Sequence, residues 1–231
     1  PPLQYHYLKR PYTLIPATAE AVPEPRYFDA AGRKLPVNAP ASQIAFSDYE
    51  IRIRPGIRYQ PHPAFALDAG GAPLYADLNR QKLRGIERIA DFAHTGTREL
   101  TADDYIYEIK RLAHPRLNSP LFSTMSERIV GLKELGEQLR AEARAHPEYW
   151  LDLDRFALEG VTRVDRYTYR IRLHGKYPQF VYWLAMPFFA PVPREADRFY
   201  AQPGMAEKNL TLDWYPVGTG AYMLTENDPN S

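Results

Sequence analysis

Apolar and polar residues alternate over Glu50-Ile51-Arg52-Ile53-Arg54, the period of a strand with one buried face, and Pro55-Gly56 supplies a turn after it. The arginines at 52, 54 and 58 are expected on the solvated face. The same alternation returns in Thr168-Tyr169-Arg170-Ile171-Arg172-Leu173. A turn at Asp165-Arg166 makes that stretch the hairpin partner of the segment that follows Gly160-Val161. Two stretches change to the helical period. From Thr101, Ile106, Ile109 and Ala113 form a stripe flanked by Tyr105 and Leu112. From Leu132, Leu135, Leu139 and Ala143 do the same, with Lys133, Glu134, Glu137, Arg140 and Glu142 outside.

The first helix has the clearest start in the chain. Thr101 is a good N-cap, and Asp104 stands three residues on, where a carboxylate can close a capping box. Asp103 and Asp104 face the positive end of the helix dipole, and Lys110-Arg111 its negative end. His114-Pro115 stops this helix and His146-Pro147 the second, because a residue before proline avoids the helical region. Gly175-Lys176-Tyr177-Pro178 opens a further helix, apolar nearly all round at Phe180, Val181, Trp183 and Leu184 and therefore expected to be buried. Met186 to Pro193 reads as a rigid apolar loop, Arg194 to Tyr200 as a short helix, and Pro216 to Leu224 as a glycine turn entering a strand.

The remainder is punctuated by turns. Residues 1–49 are a loop-rich entry segment in which Tyr5 to Tyr12 is a short strand or helix ending at Pro11, and Ala30 to Arg33 is a hairpin turn. Residues 59–97 form a long excursion, with Pro61, Pro63, Gly70-Gly71 and Pro73 followed by an apolar patch from Leu83 to Phe92. A helix from about Pro73 to Ala93 is expected there, since long structureless loops are uncommon in compact domains.

Composition narrows the function classes. The 231 residues are 45% hydrophobic and 25% charged, ordinary for a globular protein, and the net charge of +1 gives no broad pull on nucleic acid or membrane. The apolar run Phe180 to Pro193 is interrupted by three prolines and is too short to span a bilayer. Cysteine is absent, which excludes disulfides, thiol catalysis and thiolate metal sites. The 22 prolines imply many fixed turns, and the 17 tyrosines suit surfaces that are apolar and hydrogen-bonding at once. The chain opens on Pro1-Pro2, without Met or leader, as a mature chain, a trimmed one or a fragment would.

Candidate chemistry is sparse. The six histidines (6, 62, 94, 114, 146 and 174) are scattered without metal-ligand spacing. Asp103-Asp104 is explained by capping. Gly218-Thr219-Gly220 lacks the third glycine and following helix of a dinucleotide loop, and no Gly-x-Ser-x-Gly elbow occurs. Asn209-Leu210-Thr211 fits a glycosylation sequon. No catalytic residue, metal or cofactor is expected. Trp183, Phe188 and Phe189 read as core. At Gly218, Thr219 and Gly220 the backbone can approach a ligand closely and offer N–H and C=O groups to an extended peptide. Phe122, after Asn118-Ser119-Pro120, is a candidate pocket aromatic.

Five segments, in order, resemble the solute-binding proteins of ABC importers for oligopeptides and dipeptides, extracellular solute-binding family 5. These are Tyr49-Glu50-Ile51-Arg52-Ile53-Arg54-Pro55-Gly56-Ile57, Leu100-Thr101-Ala102-Asp103-Asp104-Tyr105, the hairpin from Gly160-Val161 to Arg172-Leu173, the apolar loop from Leu184 to Pro193, and Gly218-Thr219-Gly220-Ala221-Tyr222, where Ala221 replaces the family's proline. Tyr5 to Tyr12 resembles a branch of the family. The resemblance implies an α+β class: a lobe of a periplasmic-binding-protein type II-like fold, a mixed sheet with flanking helices. It implies that residues 1–231 are the N-terminal lobe of a larger two-lobed protein, with 1–49 as entry segment, 50–175 as an inserted subdomain and 176–231 returning to the main lobe. It further implies a non-enzymatic, monomeric binder, periplasmic or extracellular and membrane-associated. That binder closes on a peptide by hinge bending and delivers it to an inner-membrane permease. Tyr5, Phe122, Gly218, Thr219 and Gly220 are the substrate-binding residues so assigned. A hydrolase, or a signalling or chaperone-like module on the same fold, is the alternative.

Overall fold

A computed structural model describes residues 1–224 and 227. The chain divides into two compact units, Pro1–Pro55 with Thr101–Pro191, and Gly56–Leu100 with the chain from Val192 on.

The first unit is built on sheets. A hairpin of β1 (Leu3–Tyr5) and β2 (Leu14–Pro16) stands apart from a five-stranded sheet. That sheet contains β3 (Pro25–Phe28), β4 (Lys34–Leu35), β5 (Phe46–Arg52), β6 (Val161–Asp165) and β7 (Thr168–His174) in the order β4-β3-β5-β7-β6, and all its pairings are antiparallel. Alternation sets the faces. Tyr49 and Ile51 of β5 lie opposite Ile171 and Tyr169 of β7, and all four are buried. Burying each such side chain contributes roughly 1.5–3 kcal/mol. Asp48, Glu50 and Arg52 point to the other face, where charges pair across strands: Arg26 with Glu50, Arg52 with Glu20, and Arg172 with Asp48. Asp48 is itself fully buried, held by Arg172 Nε at 2.7 Å and Nη2 at 2.8 Å.

Helix α1 (Ala102–Arg111) packs on the apolar face, with the Tyr105 and Tyr169 rings stacked at 5.2 Å. Its cap is the one expected: the Thr101 amide donates to Asp104 Oδ2 at 3.0 Å. The buried stripe differs from the expected one. Ala102, Tyr105, Tyr107, Ile109, Leu112 and Ala113 are buried and Ile106 only half so, because the side that meets the sheet is the one carrying Tyr105, stacked on Tyr169. Lys110, read as a dipole partner, is instead buried, its Nζ donating to the Leu153 carbonyl at 3.2 Å. Helix α2 (Phe122–Ser126) leans on α3 (Leu132–Ala145), and α4 is the single turn Phe180–Trp183. The expected all-round burial of α4 does not hold: Phe180 and Leu184 are buried, while Tyr182 is 48% exposed. One turn of helix presents only one side to the core.

In the second unit α5 (Arg194–Tyr200) has the expected bounds. The helix expected from Pro73 to Ala93 is absent; turns and the 3-10 turn Ile89–Asp91 take its place. Gly85 at φ +78 interrupts it, and the buried Leu78, Leu83 and Phe92 follow no helical period. The excursion is ordered by side chains on main chain. Gln202 accepts from the Leu78 amide at 2.7 Å and donates to the Tyr75 carbonyl at 2.9 Å. Among the described residues no strand follows Gly220.

Candidate functional site

The glycine turn is held from residues 59–62. These run extended and pair on one edge with 96–98: Tyr59 N to Arg98 O at 3.0 Å, His62 N to Gly96 O at 2.9 Å and Gly96 N to His62 O at 3.1 Å. On the other edge Gln60 N donates to Gly218 O at 2.9 Å. The Gln60 side chain completes the clamp: Nε2 donates to Pro216 O at 3.0 Å and Oε1 accepts from Gly218 N at 3.3 Å. A carbonyl on one side and an N–H on the other fix which end of the amide is which. The turn is thereby anchored at residues 216 and 218.

His62 anchors the segment from below. It is buried, and its Nδ1 accepts from the Ala64 amide at 3.1 Å, so Nε2 carries the proton. Nε2 donates to Tyr200 Oη at 2.8 Å, leaving that hydroxyl to donate to Tyr215 O at 2.7 Å. Burial lowers the His62 pKa to about 4 and raises that of Tyr200. The imidazole is neutral and all its hydrogen bonds are made. It is a cap and a strut, and it has no free lone pair for general-base work. Nearby, Arg98 grips Glu195 of α5 with two bonds, 2.6 and 2.7 Å, and lies over the Tyr59 ring at 5.2 Å. Burial pushes the Glu195 carboxyl up, but the bonds from Arg98 outweigh it and the net shift is downward.

Beyond Gly218 the described residues leave the main chain unpaired. Among the described residues neither Thr219 nor Gly220 has a hydrogen-bond partner, and Gly220 is exposed. The two glycines differ from others in the chain. Gly56 and Gly131 have φ of +84° and +79°, and a Cβ on Gly96 would stand 2.1 Å from the Phe65 carbonyl oxygen. At Gly218 and Gly220 the backbone is outside the left-handed region, and a Cβ would meet nothing nearer than 3.8 Å. Nothing within the described chain demands glycine at either position.

The other two sequence candidates lie in the first unit. Tyr5 ends β1, is 42% exposed, and stacks on Tyr182 with centroids 6.4 Å apart. Phe122 is not in a loop: it opens α2, its ring filling the space beside Gly136 of α3 and lying under Arg140 at 5.8 Å. Tyr5 and Phe122 thus sit among different neighbours. Phe189 is buried as expected, whereas Trp183 and Phe188 are only half-buried. Sequence reading missed Gln60, which carries no local signal because its partners stand more than 150 positions away. Among the described residues no group of three metal-binding side chains occurs, and no helix is long and apolar enough to cross a membrane.

The pattern of bacterial extracellular solute-binding proteins, family 5 (middle part) matches residues 94–231, more than half of the chain. The chain belongs to this family. Its members are binding proteins, and the solved structures that the chain resembles are peptide binders by description. The pheromone receptor PrgZ, described with its mode of peptide binding, is 18% identical, with a TM-score of 0.51 over 98% of this chain. DppA from Helicobacter pylori in complex with the peptide STSA is 15% identical (TM-score 0.49, 98% of this chain), and peptide-bound OppA from Listeria monocytogenes is 15% identical (0.47, 97%). At these identities the likeness is one of fold. The chain spans 30%, 31% and 30% of those three proteins respectively. No curated protein matches it. The family, the α+β class and the likeness to a piece of a longer binding protein agree with the sequence reading.

Proposed function

We propose that this chain is the N-terminal lobe of the substrate-binding component of an ABC importer. In this reading the protein takes oligo- or dipeptides between two lobes and delivers them to a permease in the inner membrane. It works in the periplasm or at the outer face of a membrane, as a monomer and without catalysis. Residues 1–49 enter the lobe, 50–175 form an inserted subdomain and 176–231 return to the lobe.

One observation carries the reading: Gly218 and Gly220 are glycines that nothing among the described residues requires. A ligand main chain lying against the turn would require them, because a Cβ there would hold it off. Thr219 and Gly220 then offer unpaired N–H and C=O groups to the peptide backbone, the sequence-tolerant mode of strand addition. The Gln60 clamp holds the turn rigid, so little order is lost on binding. Tyr5 and Phe122 supply apolar surface for ligand side chains; Phe122 has the least to offer, since its ring already packs on α3.

The test uses the full-length protein and calorimetric titration with short peptides. Gly218→Ala and Gly220→Ala are expected to leave the melting temperature unchanged and to weaken peptide binding about tenfold or more, the equivalent of one lost main-chain hydrogen bond. Unchanged affinity in both variants would overturn the assignment.

A further inference from the structure

The hairpin of β1 and β2 carries, beyond Tyr5, a surface to which the proposed peptide site gives no role, although its Tyr12 packs edge-on against Tyr5 at 6.1 Å. Its tip gathers exposed apolar side chains: Tyr7 is 80% exposed, Leu8 69% and Tyr12 68%. Lys9 and Arg10 stand between them. The tip is well ordered by its own bonds. His6 Nδ1 accepts from the amides of Leu8 and Lys9, both at 3.3 Å, and His6 N donates to Thr13 O at 2.8 Å. Its base is tied down by Leu3 N to Leu184 O at 3.1 Å and by the Tyr5–Tyr182 stack.

The cations are the second observation. Some arginines of this unit meet carboxylates, as in Arg26–Glu50, Arg33–Asp29, Arg111–Glu108 and Arg172–Asp48, and others lie on rings or carbonyls, as Arg128 lies over Tyr177 and Arg116 on the carbonyls of Tyr149 and Pro147. Arg10 belongs to the second kind: it lies over the Tyr12 ring at 4.4 Å and spends Nη1 on the carbonyls of Tyr7 and Lys9, all within the tip. Among the described residues its other nitrogens and Lys9 Nζ have no partner. Residues 1–19, which contain the whole hairpin, carry Lys9 and Arg10 and no Asp or Glu, and the first carboxylate after them, that of Glu20, is paired with Arg52. The net charge of +1 averages over this local excess.

We propose that the tip, Tyr7-Leu8-Lys9-Arg10 with Tyr12, docks the protein on an anionic lipid bilayer. The shape decides against a small ligand, because side chains on a protruding turn cannot enclose one, whereas ligand sites are concave. They can bury themselves by entering a soft surface. Tyrosine and leucine at the headgroup boundary, with lysine and arginine reaching the lipid phosphates, are what such a surface accepts.

The experiment is co-sedimentation of the full-length protein, in water-soluble form, with large vesicles of phosphatidylglycerol mixed with phosphatidylcholine, and with phosphatidylcholine alone. Binding to the mixed vesicles alone, weakening with added salt, is expected. Lys9→Gln with Arg10→Gln should lower that partitioning about 30-fold, at about 1 kcal/mol per cation. Tyr7→Ser with Leu8→Ser should also lower it, and neither pair should alter peptide affinity. Equal binding to both vesicles, no binding, or binding indifferent to both pairs of substitutions would overturn the proposal. So would a hairpin-dependent association found only with a purified permease.

Discussion

The two units reach order by different means. In the sheet unit, neighbours are set by period: β5 and β7 pair residue by residue from Phe46↔His174 to Arg52↔Thr168, and that register places Tyr49 and Ile51 inside and Glu50 and Arg52 outside. In the unit built on Gly56–Leu100 and α5 there is little ladder to copy. Its backbone is held by single side chains, Gln60 on Pro216 and Gly218, His62 on Ala64 and Tyr200, and Gln202 on Leu78 and Tyr75. The difference teaches where binding geometry comes from. A ladder fixes a scaffold, and a few side chains fix a turn that the described residues leave unpaired beyond Gly218.

The comparison breaks most visibly at Asp48. Asp48→Ala removes a fully buried carboxylate from Arg172 and should cost roughly 3–4 kcal/mol, read as a lower urea midpoint. This is the lower half of the range for a broken buried pair, because the Arg172 side chain is 40% exposed and can rehydrate. Next comes His62. Its folded pKa of about 4 lies below the ordinary 6.5, so the unfolded chain takes up a proton first. Its contribution to stability is complete above pH 6.5 and is lost as pH falls toward 4, a total of about 3 kcal/mol. Urea unfolding across that range should show the slope, and His62→Gln should flatten it.

These two residues also show what sequence could tell. Alternation over Glu50 to Arg54 predicts a strand, which the structure begins earlier, at Phe46, and alternation over Thr168 to Leu173 predicts the β6–β7 hairpin; the pairing of β5 with β7 that joins Asp48 to Arg172 leaves no local signal, and capping chemistry predicts α1. The period of Leu132, Leu135 and Leu139 predicted α3. His62 read as one of six scattered histidines, because what makes it a strut is Tyr200, 138 positions away. The excursion was misread as a helix for the same reason: its order comes from Gln202 and from Asx turns at Asp68 and Asn79, which leave no period in the sequence. The glycines at 218 and 220 stand out in the sequence as a turn whose backbone can approach a ligand. That nothing among the described residues needs them is legible only from the space around them.

Smaller effects sharpen the contrast. Gly96→Ala places a methyl against the Phe65 carbonyl, a backbone atom that cannot step aside, and should cost roughly 2–3 kcal/mol in the loop-built unit. Gln60→Ala leaves the clamp's carbonyl and amide to water and should cost about 1–2 kcal/mol, measured by thermal denaturation, with a loss of peptide affinity beside it. Thr101→Ala in the sheet unit should cost about 1 kcal/mol and leave peptide binding untouched, since the cap serves only α1.

The central claim is that an open, glycine-lined turn on this lobe receives a peptide. It is tested most directly by native mass spectrometry of the gently purified full-length protein, followed by identification of whatever is released on denaturation. The account predicts a mixed population of short peptides, lost together in the Gly220→Ala variant. A single defined non-peptide molecule, or an empty protein that hydrolyses peptides, would contradict it.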